Sequence, residues 1–138
     1  MFAVLWFDLM FDVQVLGNRG RDVPEAARAA IAVYYARVTT AARPMNRLVA
    51  AVMLLTLVAL GFEGGRGDLA AGRAWPAFAL ALVAIGLAAT RTVPNAVRLG
   101  RATDDAAQQS RLARAILRDH LVCITAIAAV LVLQLAPT

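Results

Sequence analysis

Lysine is missing from this chain of 138 residues, and cysteine and histidine each occur once. All 14 basic residues are therefore arginine. In a chain so rich in Ala and Arg, that bias reads as genome composition rather than as a site. A single cysteine, Cys123, excludes an intrachain disulfide and a cysteine-based zinc centre. It lies in an apolar run, which predicts a small buried side chain and not a reactive thiol. The glycines Gly64, Gly65 and Gly67 are not followed by Gly-Lys-Ser/Thr and are not preceded by a strand, so they form no phosphate-binding loop. Internal repeats are also lacking: Pro44-Met45-Asn46-Arg47-Leu48 and Pro94-Asn95-Ala96-Val97-Arg98-Leu99 share only the needs of two similar helix boundaries.

What the chain does have is apolar sequence. Hydrophobic residues make up 61% of it, and the mean hydropathy is +0.67. Soluble domains run at about 45–50% apolar. The excess is gathered into runs, which places the chain in the membrane class. The predicted fold is all-α: a four-helix transmembrane bundle with an additional amphipathic interfacial helix, in one integral membrane domain. The spans are expected near residues 1–17, 45–62, 74–91 and 119–136. The surface helix is expected over 24–42, where Ile31, Tyr34, Tyr35 and Val38 follow helical spacing. A cytoplasmic helical extension over 104–118 should run on into the fourth span, and Val93-Pro94 should break or kink the third. Tyr34, Tyr35 and Trp75 read as interfacial anchors. Residues 1–17, MFAVLWFDLMFDVQVLG, lack the basic start of a signal peptide and carry two acids, so they are expected to be retained.

Net charge is +5, and the arginines sit between the apolar runs among Asp and Glu. That pattern belongs to the loops of a membrane protein, not to a nucleic-acid surface. Six arginines fall in residues 18–47, two in 63–73 and six in 91–118. Positive charge marks the cytoplasmic side. Both termini are thereby predicted to be periplasmic, in a bacterial inner membrane.

This topology brings polar residues to one depth. Asp8 and Asp12 are four apart and share a helix face. Asn46, Arg47, Arg91, Asn95, Arg118, Asp119 and His120 lie at the cytoplasmic ends of the other spans. Ionisable groups in hydrocarbon are costly and are expected to find partners. Asp12 should meet an Arg or His of another helix, with Arg47, Arg91 and His120 as first candidates. Asp8, about 6 Å further along, should be protonated or bonded to backbone or Gln14. Two readings stand: an ion-paired network that fixes helix packing and the register of the first span, or a cofactor, proton or substrate site at that level, with Asp8, Asp12 and His120 as proton-transfer groups. These three are the candidate catalytic residues. A lone histidine is more often a hydrogen-bonding residue than a ligand, and although Asp8, Asp12 and His120 have donors for a divalent metal, their spacing is split across the chain, so no metal is expected; the cofactor is unknown.

The Pro94-Asn95 step after the third span and the Arg118-Asp119-His120 step into the fourth resemble the small anthrone-oxygenase-like family of four-span bacterial membrane proteins. The resemblance implies chemistry on hydrophobic aromatic or quinone-like molecules; Asp8 and Asp12 map onto nothing in that family. From the residues themselves the leading expectation is a non-catalytic accessory or interaction subunit of a larger membrane assembly. Its partners would be membrane lipids and other membrane-protein subunits, or itself as a homo-oligomer, with no nucleic acid. A membrane enzyme on a lipophilic aromatic or quinone-like substrate and a small proton-coupled transporter are the alternatives.

Overall fold

A computed structural model describes residues 2–18, 21–66 and 71–135. These residues are helical, with no strand among them. Helix α1 (Phe2–Asp12) tightens into a 3-10 turn over Val13–Asn18. Helix α2 (Glu25–Ala36) ends in a π-helical turn, Arg37–Ala41, and α3 spans Arg43–Gly65. Helix α4 (Ala71–Leu87) passes through a second π-helical turn, Ala88–Thr92, into α5 (Val93–Arg101). Helix α6 covers Ala106–Leu135. Three stretches are long and apolar enough to cross a membrane: Asn46–Gly65, Gly72–Arg101 and Ala106–Leu135. The described residues are those of an all-helical membrane protein.

Two points bear on the sequence expectation. A break or a kink is expected at Pro94, and the third stretch does not break there. Proline removes a backbone donor and its ring crowds the carbonyl four residues earlier. The π-helical turn immediately before it takes up that misfit, and the helix continues to Arg101. The other point is α1. It is α-helical for 11 residues and 3-10 for six more, and it is not among the membrane-length helices. It lies antiparallel to α6: Leu5 packs on Ala84, Cys123, Ala126 and Ile127, and Phe2 shares a groove with Ile127, Val130 and Leu131. Part of the Gly-rich connection, residues 67–70, lies outside the described residues, while Glu63–Gly65 complete α3.

Two of the apolar stretches are 30 residues long, or about 45 Å against a hydrocarbon core of about 30 Å. The surplus is used. Helix α5 and the first turns of α6 meet α2 and the 3-10 turn in a compact core of Val15, Val23, Ile31, Tyr35, Ala96, Leu99, Leu112, Ala113, Ile116 and Leu117. Arginines stud its outer surface. Beyond this cap the molecule changes character. Small residues of α4, namely Ala77, Ala81 and Ala84, pack against Leu60 of α3 and against Cys123, Ala126, Ile127 and Val130 of α6. Large apolar side chains such as Leu54, Leu55, Val58, Phe62, Val83 and Val132 face outward there, as lipid-facing helices require.

The cap is closed at two places. Between α5 and α6 the chain reverses through Ala102, whose φ of 51° is left-handed. Arg98 forks onto Asp104 with bonds of 2.9 and 2.8 Å, which hold the Asp104 carboxyl below the usual carboxylate range. Asp105 then caps α6 by accepting the Gln108 amide at 2.7 Å. Between α2 and α5 the close approach is at Gly100, where an added Cβ would lie 2.7 Å from the Ala36 nitrogen and 3.1 Å from the Tyr35 carbonyl carbon.

Candidate functional site

Where the cap meets the half with outward-facing apolar side chains, the polar side chains of α1, α2 and α6 converge. Asp8 and Asp12 sit one helical turn apart on α1 and point at α6. His120 is carried by the same face of α6 as Leu112 and Ile116, both buried in the cap. That face continues upward without a break because no Gly or Pro interrupts α6. His120 is therefore presented to α1 at a fixed height.

The contacts form a chain of five side chains. Tyr35 donates its hydroxyl to Asp12 Oδ1 at 2.6 Å. The other oxygen of Asp12 lies 2.6 Å from His120 Nδ1, a hydrogen bond that fixes the ring. The opposite nitrogen, Nε2, stands 3.8 Å from Asp8 Oδ2. Asp8 Oδ1 accepts the hydroxyl of Tyr34 at 2.6 Å. The Tyr34 ring stacks on Phe11 at a centroid distance of 4.0 Å. The Asp12 side chain has no exposure, His120 has 7% and Asp8 has 15%.

Both phenols are held as donors. Burial and the neighbouring Asp12 carboxylate push the Tyr35 hydroxyl far above its ordinary range. Burial and the bond to Asp8 do the same, less strongly, for Tyr34. Two carboxylates facing one imidazole would be a poor arrangement alone. The tyrosines complete it: each acid has one oxygen on a hydroxyl, and the histidine ring lies between the other two.

Of the polar residues expected at one depth, the structure divides most into two groups. Asp8, Asp12 and His120 form the network. Asp119 lies behind it, buried, with Oδ1 at 3.8 Å from Arg91 Nη2 and 3.9 Å from Arg118 Nε. Its Oδ2 has no hydrogen-bond partner among the described residues. The partner of Asp12 is the candidate His120, while Arg91 is taken by Asp119. Arg47 and Asn95 join neither group, and Asn46 turns to the Thr39 carbonyl at 3.1 Å. Helix α3 packs on α4 and shares a groove with α1 only beside Phe2 and Ala3, away from the acids. The hydrogen bond of Asp8 goes to Tyr34, not to backbone or Gln14.

The tyrosines are what sequence reasoning missed as members of the site. Expected as anchors on a helix lying against the interface or the bundle, Tyr34 and Tyr35 turn toward α1, and Tyr35 is 2% exposed. A signal was present: adjacent tyrosines project in directions about 100° apart on a helix, so a pair of them can reach two acids on a crossing helix. Trp75 is 53% exposed near the start of α4, beside Phe78. Cys123 is buried, with Sγ directed at the Ala84 carbonyl. No group of three or more His, Cys, Asp or Glu suited to a metal occurs among the described residues. Comparison with protein-family models, curated proteins and solved structures gives no match to this chain.

Proposed function

We propose that this protein is a small polytopic subunit of the bacterial inner membrane that has no catalytic activity of its own and packs laterally against other membrane-protein subunits or further copies of itself. The observation that supports this reading best is the closure of the network. Both oxygens of Asp12 are occupied by side chains of the same chain. The series then ends at Tyr35, inside an aliphatic core. A transport relay needs an opening at each end, and acid–base catalysis needs a face on which substrate meets the reacting atom. A saturated acid in a closed core has another use: it pins α1 and α2 to α6 at one register. Helix α3 supplies the surface for association. It packs on α4 and leaves Leu48, Leu54, Leu55, Val58 and Phe62 exposed.

The finer architecture in this proposal is a four-helix transmembrane bundle. Helix α1 is its short first crossing, α2 rides at the interface, and both termini are periplasmic. The six–two–six distribution of arginines supports the orientation. Reporter fusions after Thr138 should be active only as periplasmic enzymes; cytoplasm-only activity would reverse the topology.

One observation favours a second reading. Asp8 keeps some exposure, and its 3.8 Å separation from His120 is wider than a hydrogen bond. A proton-coupled step, or chemistry on a lipophilic aromatic or quinone-like molecule, would begin at that gap. Purification from mild detergent separates the readings. A subunit brings down a companion chain, or a defined oligomer, in fixed ratio, and Asp8→Asn leaves the ratio unchanged. A solitary monomer carrying a small aromatic molecule that Asp8→Asn releases would overturn the subunit reading.

A further inference from the structure

On the side of α6 away from α1, a groove of about 500 Å³ runs between α4 and α6. Its walls are Leu80 and Val83 of α4 and Leu121, Val122, Ala126 and Ala129 of α6. One end carries Arg118. Arg91 of the neighbouring π-helical turn reaches the same place, because both guanidinium groups approach the same oxygen of Asp119. Those two contacts, at 3.8 and 3.9 Å, are ion pairs without hydrogen-bond geometry, so the guanidinium donors keep their capacity. Their side chains are 52% and 66% exposed. One carboxylate faces two guanidinium groups, which leaves one positive charge at the mouth of an apolar groove.

We propose that this groove binds one anionic phospholipid, its phosphate on Arg91 and Arg118 and an acyl chain along α4 and α6. The dimensions support it. Leu80 precedes Arg91 by eleven residues and Ala129 follows Arg118 by eleven. On antiparallel helices both walls therefore extend about 16 Å from the arginines, half of the roughly 30 Å hydrocarbon core, which is the depth of one leaflet. The chemistry is also matched: guanidinium groups bind phosphate oxygens through paired N–H donors, and basic pockets between membrane helices select charged headgroups. The small side chains Ala126 and Ala129 leave room that a larger residue would close.

The test uses the full chain in nanodiscs and in detergent, with native mass spectrometry and lipid titration as readouts. The probes are phosphatidylglycerol, phosphatidylcholine of the same acyl length, and inorganic phosphate. Phosphatidylglycerol should stay bound at one per chain, at least tenfold tighter than phosphatidylcholine. Inorganic phosphate should not displace it, since it lacks the chain that fills the groove. The triple variant R91Q/R118Q/D119N removes the three charges together and leaves no buried carboxylate alone; it should lose the tenfold preference while still binding either lipid weakly. Ala129→Phe keeps the charges and closes the far end, and should weaken phosphatidylglycerol binding about tenfold. Equal binding of both lipids by the native chain, displacement by phosphate, or an unchanged preference in the triple variant would each overturn the proposal.

Discussion

Asp12→Ala should cost about 3–5 kcal/mol of stability and remove most folded protein from the membrane. The loss follows from what remains. The Tyr35 hydroxyl and His120 Nδ1 both address Asp12, and both are buried. A buried polar group that loses its partner costs about 1–3 kcal/mol. Asp12→Asn should be milder, because the amide oxygen still accepts from Tyr35 and the amide nitrogen can donate to an unprotonated Nδ1. Asp8→Ala should be milder again, since Asp8 is partly exposed and strands only the half-buried Tyr34. Midpoints of detergent-induced unfolding, measured for these variants and for Tyr35→Phe, give the ranking. In a double-mutant cycle, Asp12→Ala and Tyr35→Phe should couple by more than about 1 kcal/mol. An Asp12→Ala variant within about 0.5 kcal/mol of the native chain would mean that the network holds nothing.

The second large effect is expected at Gly100. Alanine is favoured over glycine in a helix by about 1 kcal/mol. On propensity alone Gly100→Ala should stabilise. The structure predicts the opposite sign, because the new methyl group would meet backbone of α2 at 2.7 and 2.9 Å, and backbone cannot rotate away. Helix α5 must move off α2, at a cost of about 1–3 kcal/mol for alanine and more for leucine. Tyr35 sits at that contact, so the displacement also pulls its hydroxyl from Asp12. Gly86 of α4 is the control: a Cβ there meets nothing within 4 Å, and Gly86→Ala should be neutral or slightly stabilising. If the two substitutions shift the unfolding midpoint equally, close packing of α2 on α5 does not govern stability.

These two sites show what sequence could and could not reveal. The apolar runs announced helices and membrane because hydropathy acts locally, residue by residue. The continuity of α6 was equally legible, since nothing in its sequence could stop it. Intramembrane acids announce that they need partners, so a partner on another helix for Asp12 could be anticipated, and His120 was among the three candidates. The choice among them could not be made, because it depends on which helix packs beside α1. Helix α3, with Arg47, packs elsewhere. The tyrosines were hidden for a different reason. A tyrosine at a membrane surface and a tyrosine under a surface helix have the same sequence context, and only the crossing of α2 over α1 separates them. At Pro94 a break and a kink could not be told apart, because the π-helical turn that accommodates it is a backbone adjustment with no residue signature of its own.

In the proposed architecture the cap faces water and the other half faces lipid, and that division has a thermal consequence. Burial of apolar surface from water carries a large heat-capacity change and weakens on cooling. The cap core around Ile31, Leu99 and Ile116 is stabilised in that way. Helices inside lipid gain little from it, because hydrocarbon surrounds them whether or not they are packed; their contacts rest on close fit and hydrogen bonds. The two halves therefore respond to temperature by different laws, although α6 runs through both. Near freezing the cap loses part of its cohesion while the embedded helices keep theirs. The acid–histidine–tyrosine network lies on the seam between them, so its tyrosine ends would slacken in the cold before its acids move.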